Sequence, residues 1–227
     1  MNHGISHTQH QTFVAQANPF VRAAFIRQVY GLLFGSLVLT VFSGFFCTQE
    51  TMLPLIVDMY PMLIIGEIVC MLILSFTRRT TGINLFIFAI FAALLGAVLG
   101  PRLLMLSRSA PGLPMTAAAI TLGVFGFLTL YVFISRKDFS FMGGVLFVGL
   151  IGLLISGIML AFFPVSGLSV LYSLCGVMIF SGYVLYDTSM IMNRLQPGQA
   201  IVGAIELYLD LVNLFLFILR LLSGRRD

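Results

Sequence analysis

The chain has 227 residues, of which 59% are hydrophobic and only 9% are charged. A soluble domain of this length carries about a quarter charged residues, so this composition excludes a soluble protein and indicates an integral membrane protein. The net charge of +4 does not indicate nucleic-acid binding, because the Lys and Arg residues stand singly or in pairs between apolar runs, where they set topology.

The apolar runs are close in length to the ~20 residues that a helix needs to cross a bilayer. Residues 1–22 are predicted to form a polar tail, and residues 23–227 a single transmembrane domain. Turn and charge signals divide this domain into seven predicted spans, at residues 28–48, 56–77, 83–101, 113–134, 141–163, 168–192 and 201–222. The sequence therefore predicts an all-α polytopic membrane protein with seven transmembrane helices.

Positively charged residues predict the orientation of these spans. A cytoplasmic N-terminus places Arg78, Arg136 and Arg194 on the inside, whereas Arg220 lies outside if the last segment crosses completely. A final segment that re-enters would instead return the C-terminus to the cytoplasm, and the sequence leaves both alternatives open. The patterns Gly31-xxx-Gly35 and Gly96-xxx-Gly100 have a spacing at which helix backbones can pack closely.

Four acidic residues fall at membrane depth: Glu67, Asp187, Glu206 and Asp210. An ionisable side chain in lipid costs several kcal/mol, so each of these acids requires a partner, a proton or a water-filled cavity. Such residues indicate function more strongly than they indicate structure.

Asp187 and Asp210 are expected to face one another. Both lie roughly 9–14 Å from the cytoplasmic side, on consecutive helices that the short turn NRLQPGQ joins. Glu206 and Asn213 flank Asp210 on the same helix face and extend a polar stripe. Two carboxyl groups in contact at low dielectric cannot both ionise cheaply, so they share a proton and titrate as a pair.

The interpretation that the pair senses pH stands beside a simpler one, in which both acids are protonated struts between helices. Arg78, near the end of the second span, can hold one acid ionised or can serve only as a topology anchor. Cys47, Cys70 and Cys175 lie within apolar runs and are interpreted as packing residues.

The segments SGYVLYDTSMIMNR and IELYLDLVNLFLFILRLL, together with Glu67 and Arg78 in the second span, resemble the Bax inhibitor-1 family, also called lifeguard-like proteins, and in particular its bacterial members. The resemblance implies six helices around a central seventh, a location in the bacterial inner membrane with the N-terminus in the cytoplasm, and a pH-sensitive calcium leak. It also implies that Asp187 and Asp210 form the pH sensor, that Arg78 is the latch and that Glu67 is the family's second-span glutamate.

The chemistry is compatible with this implied function. Calcium binds several oxygen ligands in irregular geometry, so a carboxylate pair can attract it weakly, as a leak requires. No cofactor is predicted; lipid and calcium are the expected partners, and other membrane proteins are possible ones. In the implied mechanism, ionised Asp187 and Asp210 hold Arg78 over the cytoplasmic mouth, and protonation of the pair releases it.

Two alternatives remain. Intramembrane aspartyl proteases also carry a Tyr-Asp on one helix and an Asp on the next, and Tyr186-Asp187 matches the first half of this pattern. The second half does not match, because Asp210 follows Leu207-Tyr208-Leu209 rather than a Gly-x-Gly element, and a Pro-Ala-Leu element is also absent from this sequence. A non-conducting scaffold that binds other membrane proteins would need no titrating pair. Histidines occur only at positions 3, 7 and 10, and no P-loop, HExxH or GxSxG motif is present, so the sequence does not predict another enzyme.

Overall fold

The computed structural model of the protein describes residues 13–76, 81–163 and 167–224. Within these residues the chain forms eight α-helices, which are α1 (Pro19–Cys47), α2 (Leu53–Asp58), α3 (Tyr60–Phe76), α4 (Thr81–Ser109), α5 (Leu113–Ser135), α6 (Gly143–Phe162), α7 (Leu168–Asn193) and α8 (Ala200–Ser223). Six of them, α1 and α4 to α8, are long and apolar enough to cross a membrane, and α3 is a shorter apolar helix. The protein is an all-α polytopic membrane protein.

Helix α1 begins at Pro19, within the segment predicted as the polar tail; the sequence predicts that the helix begins at residues 23–27 and continues into the span at 28–48. The side chain of Asn18 accepts a hydrogen bond from the Phe20 N–H at 3.1 Å, and Pro19 has the fixed φ that suits a first helical residue. Upstream, Val14 is fully buried, and its N–H donates to the Leu195 carbonyl at 2.9 Å. The start of the described chain therefore packs against the turn between α7 and α8.

The predicted span at 56–77 is wrong as a single helix. The chain is divided at Met59 into the short α2 and the 17-residue α3. Pro61 has no N–H to donate to the carbonyl of Val57, so regular helical bonding is interrupted at this point.

The predicted end of the third span at residue 101 is also wrong, because α4 continues through Pro101 to Ser109. A proline removes one backbone hydrogen bond, and the intact turns on either side of it can keep a membrane helix continuous. The predicted spans at 113–134, 141–163, 168–192 and 201–222 agree with α5 to α8 within two residues at each end.

Helix α8 lies against four other helices, α1, α4, α5 and α7. In its most apolar stretch 56% of the residues are buried, against 11% in α6, so α8 belongs to the interior of the bundle and α6 to its periphery. Its 24 residues form one unbroken helix of roughly 36 Å, which is long enough for a complete crossing.

Glycines bring α1 and α4 into backbone contact. A Cβ atom on Gly100 would lie 2.5 Å from the carbonyl oxygen of Gly44, and one on Gly96 would collide with the carbonyl of Thr40. The close packing predicted for Gly96-xxx-Gly100 is therefore confirmed. The same expectation for Gly31 and Gly35 is wrong within the described part of the chain, because a Cβ atom there would meet none of its atoms within 4 Å.

The bundle has two ends. At the proximal end α1, α4 and α8 begin and α7 ends, and at the distal end these helices have their opposite termini. The proximal end also carries the α5–α6 loop, because Arg194 after α7 donates to Asp138 in that loop.

Candidate functional site

Two buried aspartates are brought together near the proximal end. Asp187 on α7 is 8% exposed and Asp210 on α8 is 4% exposed, and their carboxyl groups lie in hydrogen-bonding contact. The remaining oxygen of Asp210, Oδ2, is buried and has no hydrogen-bond partner among the described residues. A direct contact between two carboxyl groups is stable only when they share a proton.

The turn between the helices explains why the two aspartates meet. Residues 194–199 reverse the chain, and α7 and α8 then run antiparallel in extensive contact. Gly203 lies against Ile191 and Leu195 with no room for a larger side chain, so α8 starts close to the end of α7. Asp187 and Asp210 are each a few turns from this reversal and therefore come to similar depth.

Glu206 lies one helical turn before Asp210 and is half-buried. It is close enough to Asp210 to act on it electrostatically, and it lines a cavity of about 70 Å³ between α3, α4 and α8. Asn84 on α4, which is 2% exposed, lines the same cavity. The rest of the lining is apolar and consists of Met71, Leu74, Phe91, Val202, Ile205 and Leu209.

This cavity is large enough for several water molecules, since one water needs only about 10–15 Å³ of such volume. A carboxylate and an amide on its wall give that water polar partners. The cavity is therefore mainly apolar with two polar residues on its wall, one of which, Glu206, lies one helical turn before Asp210; α3 forms another part of the wall.

The other predicted site residues are placed as follows. Asn213 is half-buried, and its amide donates to the Leu209 carbonyl of its own helix at 2.8 Å. Glu67, near the middle of α3, lies within electrostatic range of Arg102 on α4 rather than beside the aspartate pair. Arg78, the predicted latch, lies outside the described residues.

A second polar contact in the bundle was not predicted. The hydroxyl groups of Tyr208 on α8 and Thr40 on α1 are 2.6 Å apart, and Thr40 also donates to the Ala92 carbonyl of α4 at 3.0 Å. Phe88 and Phe91 pack edge-on against the Tyr208 ring. The contact joins three helices. In the sequence, Tyr208 and Thr40 are marked only as uncharged polar residues within apolar spans, and the same is true of Asn84.

These features define a class of protein: a helical membrane protein with a buried carboxyl pair and, one helical turn away, a small cavity that Glu206 and Asn84 line. Residues 22–227 match the family described as "Inhibitor of apoptosis-promoting Bax1". Bax inhibitor 1 of Schizosaccharomyces pombe is 32% identical over 98% of this chain and 84% of its own length. Protein lifeguard 4 of Mus musculus is 32% identical, over 93% of this chain and 89% of its own.

The inner membrane protein YbhL of Escherichia coli is 26% identical over 89% of this chain and 92% of its own length. The chain belongs to the Bax inhibitor-1 family. Because these relatives include fungal, mammalian and bacterial proteins, the likeness does not identify a bacterial source.

Proposed function

We propose that this protein is a pH-sensitive calcium leak channel in which Asp187 and Asp210 form the pH sensor and a weak ion site. The observation that carries the proposal is the contact between these two buried carboxyl groups beside a cavity that Glu206 and Asn84 line. A cation entering this cavity meets the Glu206 carboxylate first and then the pair one helical turn further along α8.

The number of oxygen ligands supports weak rather than tight binding. Calcium takes six to eight oxygens when it is held firmly, whereas the pair and Glu206 together supply three carboxyl groups. Among the described residues no group of three or more His, Cys, Asp or Glu side chains has the arrangement of a metal site. A site that attracts an ion without retaining it suits a conduction pathway.

Gating is assigned to α3 and Arg78. Helix α3 forms one wall of the cavity through Met71 and Leu74, and Arg78 follows that helix by two residues. In the proposed closed state, Arg78 binds the ionised pair of Asp187 and Asp210. This contact holds α3 across the ion pathway at the proximal end of the bundle. Protonation of the pair removes the attraction, and α3 moves away.

In the proposed topology the protein lies in an inner membrane and crosses it seven times, with α8 in the centre of the bundle. The proximal end of the bundle faces the cytoplasm. Among the described residues, more Lys and Arg side chains lie at or near the proximal end than at the distal end, which favours a cytoplasmic proximal end. The five proximal residues are Arg22, Arg27, Arg136, Lys137 and Arg194, and the three distal residues are Arg102, Arg108 and Arg220.

Cysteine labelling tests this topology. After Cys47, Cys70 and Cys175 are replaced, Thr80→Cys and Ser140→Cys should react with a membrane-impermeant reagent from the cytoplasmic side, and Glu50→Cys from the opposite side. Reaction of positions 80 and 140 from opposite sides would contradict the seven-span arrangement.

The function itself is tested with purified protein in liposomes. Calcium flux should occur with no added protein and should change with pH. The Asp187→Asn, Asp210→Asn double variant should lose the pH dependence. Asp58→Asn, which changes an exposed acid at the end of α2, is the matched control and should behave as the wild type.

Two other outcomes distinguish the alternative functions. If the wild type passes no ion but cleaves a membrane peptide, and either single Asp→Asn change abolishes cleavage, the protein is an aspartyl protease. If it neither conducts nor cleaves at any pH, the remaining interpretation is a scaffold that acts through other membrane proteins.

A further inference from the structure

Helices α5 and α6 are consecutive in the chain, yet they leave a strip of α7 uncovered between them. Both pack on α7, and in the described part of the structure they have little contact with each other. The strip consists of Leu171, Leu174 and Met178, which recur at helical spacing and are exposed, Met178 by 73%. The neighbouring Ile179 lies instead against Gly149 of α6, so the strip faces away from that contact.

The loop that joins α5 to α6 covers one end of this strip. Ser189 lies eleven residues beyond Met178, which is about three helical turns, so the two residues are on the same side of α7. Ser189 is completely buried, and its hydroxyl accepts a hydrogen bond from the Phe139 N–H of the loop at 2.9 Å. The strip is therefore the floor of a groove that has α5 and α6 as walls and residues 136–142 at its proximal mouth. We call it the α5–α6 groove.

Two basic side chains stand at this mouth. Arg136 and Lys137 are exposed, and neither forms an ion pair with another residue in the described part of the chain. The nearby Arg194 is neutralised by Asp138. Hydrogen bonds from the loop to Ser189 and Arg194 fix the backbone that carries the two cations. Their positions are therefore set before any anionic ligand binds.

Aromatic rings place the mouth of the groove at the membrane interface. Phe139 packs against Tyr131 of α5 and against Phe141, with ring centroids 6.1 and 6.5 Å apart. Tyr131 and Phe141 are exposed. Exposed aromatic side chains near the end of a membrane helix are typical of the headgroup level, so Arg136 and Lys137 lie at the depth of lipid phosphates.

We infer that the α5–α6 groove binds one anionic phospholipid, whose phosphate contacts Arg136 and Lys137 and whose acyl chain lies on the exposed strip of α7. Met178 is about 16 Å from Ser189 along the helix, which is close to half of the ~30 Å hydrocarbon thickness and thus to the depth of one leaflet. An acyl chain that enters at the loop therefore reaches the strip.

The charge of the mouth selects an anionic lipid over other occupants. A zwitterionic headgroup brings its own cation, so two unpaired basic residues favour it less. A soluble phosphate would use the basic residues but not the apolar floor. The inference does not depend on ion conduction, because Asp187 and Asp210 meet on the side of α7 that faces α8.

Native mass spectrometry of the purified full chain measures the lipid preference. Phosphatidylglycerol should bind at least about tenfold more tightly than phosphatidylcholine with the same acyl chains, since each basic residue near an anionic headgroup contributes about a fivefold preference. Arg136→Gln combined with Lys137→Gln should remove this preference. The matched control is Arg22→Gln combined with Arg27→Gln, which removes two charges from α1 at the same end of the bundle and should leave the preference unchanged.

Three results would overturn the inference. The first is equal binding of the two lipids to the wild type. The second is an equal loss of preference in both double variants, which would mean that surface charge in general attracts the lipid. The third is displacement of phosphatidylglycerol by millimolar glycerol 3-phosphate, which would mean that the site takes a soluble anion.

A fluorescence measurement tests whether the acyl chain occupies the groove. The chain contains no Trp, so Met178→Trp introduces a single indole into the floor of the groove. Phosphatidylglycerol with brominated acyl chains should quench it severalfold more than brominated phosphatidylcholine does at the same mole fraction in a bilayer. Phe42→Trp, at an exposed position of α1 fifteen residues from Arg27, is the control and should be quenched equally by both lipids. Equal quenching of Met178→Trp by the two lipids would contradict a bound chain in the groove.

Discussion

The guanidinium group of Arg194 lies 3.0 Å from the carboxylate of Asp138 and joins the α5–α6 loop to the end of α7. The same carboxylate accepts a hydrogen bond from the Ser140 N–H at 2.9 Å, and the Phe139 N–H donates to Ser189 at 2.9 Å. Ser189 is two residues beyond Asp187, so this loop fixes the part of α7 that carries Asp187 of the buried pair.

This contact predicts a pH dependence of stability. The Ser140 N–H and then the Arg194 guanidinium lower the pKa of Asp138 to about 2, from an ordinary value near 3.9. A lowered pKa in the folded protein contributes stability above the unfolded value, and that contribution is lost as the pH falls toward 2. Because both partners are largely exposed, the expected contribution is about 0.2–1 kcal/mol.

Thermal unfolding against pH measures the effect. Asp138→Asn should be less stable than the wild type above about pH 4, and the two proteins should converge between about pH 4 and pH 2. Glu50→Gln, at another exposed acid, is the control and should show no such convergence. A stability difference that persists at pH 2 would mean that the ion pair is not its source.

The hydroxyl contact between Tyr208 and Thr40 should couple α8 to α1 energetically. Tyr208→Phe removes the 2.6 Å contact while keeping the ring between Phe88 and Phe91. Hydrogen bonds between membrane helices contribute about 0.6 kcal/mol on average, so a coupling of that order is expected. A double-mutant cycle with Thr40→Val measures it by unfolding in detergent, and additive changes would show that the hydroxyls are not coupled.

The glycine contact between α1 and α4 predicts opposite effects for two similar substitutions. Gly100→Ala places a methyl group 2.5 Å from the Gly44 carbonyl, and overpacking of this kind costs about 1–3 kcal/mol. The methyl group of Gly35→Ala would meet no atom of the described residues within 4 Å, so this change should be neutral or slightly stabilising, because alanine is the better helix former. Unfolding of both variants in detergent compares them, and equal stability would contradict the close contact.

The proposed latch predicts that Arg78→Ala raises calcium flux at neutral pH. Loss of a nearby cation disfavours the ionised pair, so the pH of half-maximal flux should also move upward. Arg79→Ala is the control, because Arg79 is expected to serve only as a topology anchor. If Arg78→Ala changes neither the flux nor the midpoint, Arg78 is a topology anchor and the gating mechanism fails.

Much of the fold follows from hydropathy, because a membrane segment must be long, apolar and helical. The boundaries of α5 to α8 were predicted closely for this reason. The errors at Met59 and Pro101 arise because proline interrupts one helix and is accommodated in another, and the packing that decides between these outcomes is not visible in a single sequence.

The candidate site was likewise predictable only in part. Charged residues such as Asp187 and Asp210 stand out in an apolar sequence, so their need for a partner, and hence their contact with each other, could be predicted from the cost of burial. Uncharged residues do not stand out, and neither Asn84 on the cavity wall nor the contact of Tyr208 with Thr40 could be predicted from spacing. Whether a hydroxyl bonds its own helix or a neighbouring one depends on which helices pack together.

The backbone contact at Gly44, Gly96 and Gly100 also determines which helices can serve as a reference for measuring motion. The α1 and α4 backbones are in direct contact there, and the Ser43 hydroxyl of α1 donates to the Ala93 carbonyl of α4 at 2.7 Å, so neither helix can slide along the other without its carbonyls colliding. Helix α3, by contrast, is separated from part of α8 by the cavity. Spin-label or fluorophore distances between α1 and α4 should therefore stay constant during the proposed opening, and a label on α4 provides the fixed point against which the proposed displacement of α3 is read.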